Sequence, residues 1–109
     1  MARAATTSDV FNAIAEPQRR RILDLLRERA LPVSEVVNVL DLPQPCVSKH
    51  LRVLREVELV RVRGQGKQRF YSLEARAQRP IRQWVGGFEQ YWEASFDRLD
   101  DYVQELKER

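Results

Sequence analysis

Within QPCVSKHLRVL (residues 44–54), Gln44, Ser48, Lys49 and Arg52 are side chains of the kinds that reach base edges and phosphates in a DNA groove. At about 100° per residue they fall, with Pro45, on one side of a helix, while Val47, Leu51 and Leu54 fall on the other. One face anchors such a helix and the other is free to work. Arginine pairs with guanine through two hydrogen bonds and glutamine does so with adenine, so Arg52 and Gln44 are the base-reading candidates, and Ser48 and Lys49 suit bases or backbone. The segment RVRGQGKQRFYSL then adds Arg61, Arg63, Gln65, Lys67 and Arg69. These suit phosphates and, at a hairpin tip, the minor groove.

Other chemistry is poorly supplied. The chain has one histidine and one cysteine, four residues apart. His50 sits at the margin of the apolar helical face with nothing beside it to orient it as a general base, which leaves packing or a phosphate contact. No nucleophile, base and orienting group can be assembled and no phosphate-binding glycine loop opens a helix, so an enzyme is not expected. One thiol and one imidazole cannot supply the four ligands of a zinc-class ion, so neither metal nor cofactor is expected. The carboxylates of Asp97, Asp100 and Asp101 read as a solvated helix face. Cys46 has two readings. In the first turn of a helix a thiol is favoured as the reactive thiolate and could sense oxidants; alternatively it fills a partly buried slot as a small hydrophobe.

The elements that must position these residues follow from periodicity. Asp9 to Ala15 predicts a short helix capped by Ser8 or Asp9, with Val10, Phe11 and Ile14 on one side. Pro17 restarts the chain, and Ile22, Leu23, Leu25 and Leu26 predict a second helix to about Arg29, ended by Pro32. Its Arg19, Arg20, Arg21 run has two readings, a solvated face with one arginine buttressing the fold, or a phosphate contact. Ser34 to Leu40 predicts a third helix, and the tight Asp41, Leu42, Pro43 connection into a fourth, Gln44 to about Val57, makes a helix-turn-helix. Alternation of Val60 and Val62 with Arg61 and Arg63 predicts a strand, Gly64 and Gly66 a turn around Gln65, and Gln68 to Leu73 the returning strand of a two-stranded wing. From about Pro80 to Lys107, Ile81, Val85, Phe88, Trp92, Leu99 and Leu106 recur near every 3.5 residues, with Trp84, Tyr91, Phe96 and Val103 beside them. Gly86 and Gly87 interrupt this long helix and mark a bend or a close helix crossing.

The fold class expected is therefore mainly α with a β-hairpin: about five helices, a two-stranded wing and a long C-terminal helix. The 109 residues predict one domain over 1–109, with 1–7 a flexible lead-in and 80–107 a dimerisation helix. The net charge of +3 is polarised. Residues 44–69 carry seven basic residues against two acidic ones, while residues 80–109 carry four against seven. One region is built to meet phosphate and the other is not. A lone cysteine, no apolar run long enough to span a bilayer and no signal-peptide core predict a cytoplasmic protein. The aromatic helix exposes more apolar surface than a small domain covers, so self-association is expected through Phe11, Ile81, Trp84, Val85, Phe88, Tyr91, Trp92, Phe96 and Leu99.

The segments EPQRRRILDLL, VSEVVNVLDLPQPCVSKHLRVLREVELV and the basic hairpin ending RFYSL, in that order, resemble the ArsR-type winged helix-turn-helix transcriptional regulators. The resemblance covers roughly residues 9–105. It implies a homodimer that binds operator DNA and usually represses transcription, with Gln44 to about Val57 as recognition helix and Gly64 to Gln68 as wing tip. The family's metal sensors carry cysteines where Pro32 and Ser34 stand here, and others use histidines on the last helix, which has none. A metal-independent repressor of a pseudo-palindromic operator is the reading these residues favour. A module that binds a protein through the winged helix and aromatic helix, with no operator of its own, is the alternative.

Overall fold

A computed structural model describes residues 9–109. Helix α1 (Val10–Ile14) starts where the Asp9 side chain accepts the Asn12 N–H at 2.7 Å. The residues expected to cap it included Ser8, which lies outside the described residues. Helix α2 (Pro17–Leu26) has Pro17 at its first position, where the missing N–H costs nothing, and the Glu16 side chain as cap. It ends three residues short of the expected Arg29.

After α2 comes an element the periodicity did not predict. Leu31–Pro32 forms a two-residue strand, β1, paired antiparallel with β3 at Leu31↔Tyr71 and Pro32↔Phe70. The wing is therefore part of a three-stranded sheet of order β1-β3-β2, not a free two-stranded hairpin. Pro32 was read only as a helix stop; at a sheet edge its missing N–H is tolerated, which is why the strand could hide behind it.

Helix α3 (Val33–Leu40) and helix α4 (Gln44–Glu56) are joined through Asp41, which takes a left-handed conformation with φ 55°. That residue makes the sharp turn of the helix-turn-helix. The end of α4 is a Schellman motif: Leu59 N–H donates to the Leu54 carbonyl at 2.9 Å and Glu58 N–H to the Arg55 carbonyl at 3.0 Å, with Glu58 left-handed at φ 64°. Leu54 and Leu59, the two positions at which such a motif commonly carries apolar residues, are both fully buried. The reversal sends the chain directly into β2 (Val60–Gln65), which pairs with β3 (Gln68–Leu73).

A short 3-10 turn, Ala75–Gln78, precedes α5 (Arg79–Glu108), which is helical throughout. Gly86 and Gly87 do not break it. The chain divides into two compact units, one ending at Arg79 and one comprising Pro80–Arg109. The core belongs to the first: Ile22, Val36, Val47, Leu51, Leu54 and Leu59 from α2, α3, α4 and the α4–β2 junction are all but inaccessible. Among the described residues, no helix is long and apolar enough to cross a membrane.

Candidate nucleic-acid interface

Helix α4 has the two faces its periodicity predicts. Val47, Leu51 and Leu54 are buried, and Gln44, Pro45, Ser48, Lys49 and Arg52 are all exposed. The helix is held by its apolar seat between α2, α3 and β2. Its exposed residues need hold nothing inside the fold, so they are available to a partner.

The wing is divided by its pleat. Arg61 lies opposite Ser72, Arg63 opposite Phe70 and Gln65 opposite Gln68, which puts Arg61, Arg63 and Gln65 on one face of the sheet. Arg69 lies opposite Gly64, on the other face with Val60 and Val62. The five wing residues grouped in the sequence are thus not one surface. Arg61 is further diverted, its guanidinium standing 3.6 Å from the Glu74 carboxylate in an exposed pair. The turn also sits one step later than expected. Gln65 belongs to β2, and Gly66, at φ 62°, begins the tip with Lys67 beside it. A two-residue hairpin turn with positive φ at its first position needs glycine there, whereas Gly64 is ordinary strand.

Behind the reading face lies a polar corner that sequence reasoning only partly anticipated. Arg19 Nε donates to the Ala13 carbonyl at 2.6 Å and its Nη2 to the Asn12 carbonyl at 3.4 Å. Arg20 Nη1 donates to the carbonyls of Ile14 and Ala15 at 2.8 and 3.1 Å. Two arginines, not one, therefore satisfy the carbonyls that α1 leaves open at its end. Arg21 pairs with the Gln18 side chain at 2.7 Å.

Glu16 Oε1 accepts the Arg19 backbone N–H at 2.9 Å and stands 4.0 Å from His50 Nε2. Burial works against its ionised form. The backbone N–H groups of Arg19 and Gln18, with the nearby charges of His50 and Arg19, outweigh that and hold the carboxyl below its ordinary value. The His50 side chain is only 18% exposed and its Nδ1 is buried without a hydrogen-bond partner. Of the two roles open to it from sequence, packing fits and phosphate contact does not. Cys46 is exposed, so it does not fill a buried slot; the packing role is set aside.

Helix α5 carries no buried residue. Trp84, Phe88 and Trp92 form a ladder one turn apart, with ring centroids 5.0 Å apart edge-on and then 5.7 Å apart stacked. Tyr91, Phe96 and Leu99 are more than half exposed, as is Tyr102, which the 3.5-residue spacing passed over. Ile81 and Val85 are half-buried, and Phe11 on α1 is exposed.

Residues 16–62, from the α2 cap to the start of the wing, match the model of the bacterial regulatory proteins of the arsR family. The chain is 30% identical to the transcriptional repressor SdpR of Bacillus subtilis over 81 residues, which is 74% of this chain and 90% of that protein. It belongs to the ArsR family. A crystal structure of the repressor BigR from Xylella fastidiosa is 31% identical, with a TM-score of 0.59, covering 82% of this chain and 88% of that one. The winged helix-turn-helix domain of Mb0332 from Mycobacterium bovis, 24% identical with a TM-score of 0.64 over 81% of this chain and 84% of that one, shares the fold. In this ArsR-family chain the matched segment spans Glu16, His50 and the whole of α4. The position of the family's metal-sensing cysteines is taken by Pro32, buried in β1, and exposed Ser34 on α3. Neither side chain is a thiolate or imidazole donor, so those residues do not fit a zinc-class ion.

Proposed function

We propose that this chain is a homodimeric, DNA-binding transcriptional repressor that reads a pseudo-palindromic operator through α4. The observation that carries the reading is the division of α4 into a buried apolar seat and an exposed face of Gln44, Pro45, Ser48, Lys49 and Arg52. Family membership supports it, as does SdpR, a repressor by name. Arg52 and Gln44 read bases, Ser48 and Lys49 contact bases or backbone, and Lys67 at the wing tip meets the minor groove or its phosphates. Arg63 and Gln65 on one wing face and Arg69 on the other contact phosphates on their own sides, and Arg61 does so at the expense of its pair with Glu74.

The exposed aromatic face of α5, with Phe11, supports association of two copies. A two-fold dimer presents two reading helices to half-sites about one helical turn apart. Release of DNA in this reading depends on no metal, because the donor types are missing, and the protein works as a regulator in the cytoplasm without catalysis.

The test is a pair of substitutions against the preferred duplex and random duplex. Arg52→Ala costs about 1–3 kcal/mol on the preferred duplex and relaxes the choice at particular base pairs, whereas Lys67→Ala weakens all duplexes alike and flattens the salt dependence. Equal losses on preferred and random DNA for Arg52→Ala would remove its base-reading role.

A further inference from the structure

We propose that Glu16 is a positioning residue of the reading helix: its carboxylate, fixed as the cap of α2 and standing 4.0 Å from His50 Nε2, forms with that ring the polar tie that sets how α4 sits in the core. The inference rests on α4 being the DNA-reading element and goes beyond it by naming what holds that element in place.

His50 is the one polar side chain between Cys46 and Leu54 that is not exposed. It occupies a place on the seat side of α4 where an apolar residue would pack without penalty. Instead the chain buries a ring nitrogen with no partner. Leaving such a group unmet is costly. The ring is therefore kept for its other nitrogen, and that nitrogen faces Glu16. With a hydrogen on Nε2 the ring presents a donor toward the carboxylate.

Glu16 is suited to the task because its own position is fixed. Its Oε1 is held by the Arg19 N–H, and the Arg19 side chain is tied to the carbonyls of Ala13 and Asn12. The carboxylate is thus anchored to α1 and α2 together, and it meets α4 at a residue flanked by Lys49 on one side and, two positions on, by Arg52. A small rotation of α4 about its axis swings both working residues. Leu51 and Val47 seat the helix, and the Glu16–His50 pair, 4.0 Å apart, adds a polar tie against rotation.

The chain has a single histidine, so its ring signals in an NMR spectrum are unambiguous. Glu16→Asp is the decisive variant: aspartate is among the best helix caps, so α2 keeps its start, yet the carboxylate is drawn back by one methylene from His50. In the wild type the hydrogen on Nε2 is expected to be protected from exchange with water by the carboxylate beside it. In Glu16→Asp that protection is lost, and affinity for the preferred duplex falls about tenfold, as for members of one coupled network, while random-duplex affinity and the unfolding midpoint hold. His50→Gln, whose amide N–H takes the place of Nε2–H, recovers most of what His50→Ala loses, and His50→Ala adds nothing to Glu16→Asp. Wild-type specific affinity in Glu16→Asp, or losses for the two sites that simply add, overturn the proposal. If the wild type prefers no duplex, the DNA reading itself fails; exchange of the Nε2 hydrogen then decides the Glu16–His50 link alone, and unchanged exchange in Glu16→Asp overturns it.

Discussion

The unit ending at Arg79 and the unit formed by α5 spend their apolar residues in opposite ways. Among the described residues, every buried hydrophobic side chain lies between Ala13 and Val60, and α5 has none. Yet α5 is no less apolar on its one face: two tryptophans, two phenylalanines and two tyrosines stand on it, along with leucines and valines. The first unit closes its core with its own residues. The second leaves its apolar face largely exposed, of the kind that association of two copies covers. Their stabilities should therefore answer to different variables, chain-internal packing in one and protein concentration in the other.

The largest effect expected is in the closed core. Leu54 is fully buried, and its carbonyl accepts the Leu59 N–H at the end of α4. Leu54→Ala should lower the unfolding free energy by about 2–5 kcal/mol, the usual cost of such a cavity, measured by denaturant titration and independent of concentration. A concentration-dependent loss would mean the two units are not distinct in this way. Next comes Phe88, the middle ring of the ladder between Trp84 and Trp92. Phe88→Ala should raise the dimer dissociation constant about thirtyfold in sedimentation experiments, corresponding to a hot-spot residue of roughly 2 kcal/mol. It should leave the unfolding of the first unit alone. A stable wild-type monomer at micromolar concentration would remove the basis of the comparison.

The two units were not equally legible from sequence, and the reason is physical. The faces of α4 could be read residue by residue because a helix seated on a core repeats its apolar side every turn: Val47, Leu51 and Leu54 are buried as that period requires. The aromatic repeat of α5 was equally plain, but Tyr102 was missed because a strict 3.5-residue spacing is narrower than an exposed aromatic face. The wing was read correctly as a hairpin and wrongly in detail. Two glycines flanked Gln65, and only the sign of φ distinguishes Gly66, which makes the turn, from Gly64, which does not. Strand β1 was hidden because two residues have no period at all. The Glu16–His50–Arg19 corner joins residues 34 positions apart between α2 and α4 through contacts that no local pattern encodes.

Two smaller effects sharpen the comparison. In the closed unit, Glu58 occupies the left-handed position of the Schellman motif at φ 64°. That conformation crowds a side chain's Cβ against the following carbonyl and costs about 1–2 kcal/mol. Glu58→Gly should therefore stabilise the first unit by about 1 kcal/mol in denaturant titration, with no change in association. No gain would mean that the Glu58 side chain compensates for its backbone.

The corresponding experiment in α5 is Gly87→Ala. A methyl group there meets no atom within 4 Å, and the helix runs through both glycines without a break. Alanine is favoured over glycine in a helix interior by about 1 kcal/mol, and the helicity of α5 should rise accordingly in circular dichroism. If the glycines serve instead to let a second copy approach closely, the same substitution should weaken association by a few-fold at most, since one methyl group is all that must be accommodated. Higher helicity with weaker association is the expected pair of results, and it would place Gly87 at the face that the partner copy covers. Higher helicity with unchanged association would put Gly87 on the solvent side and leave the aromatic ladder to carry the interface without it.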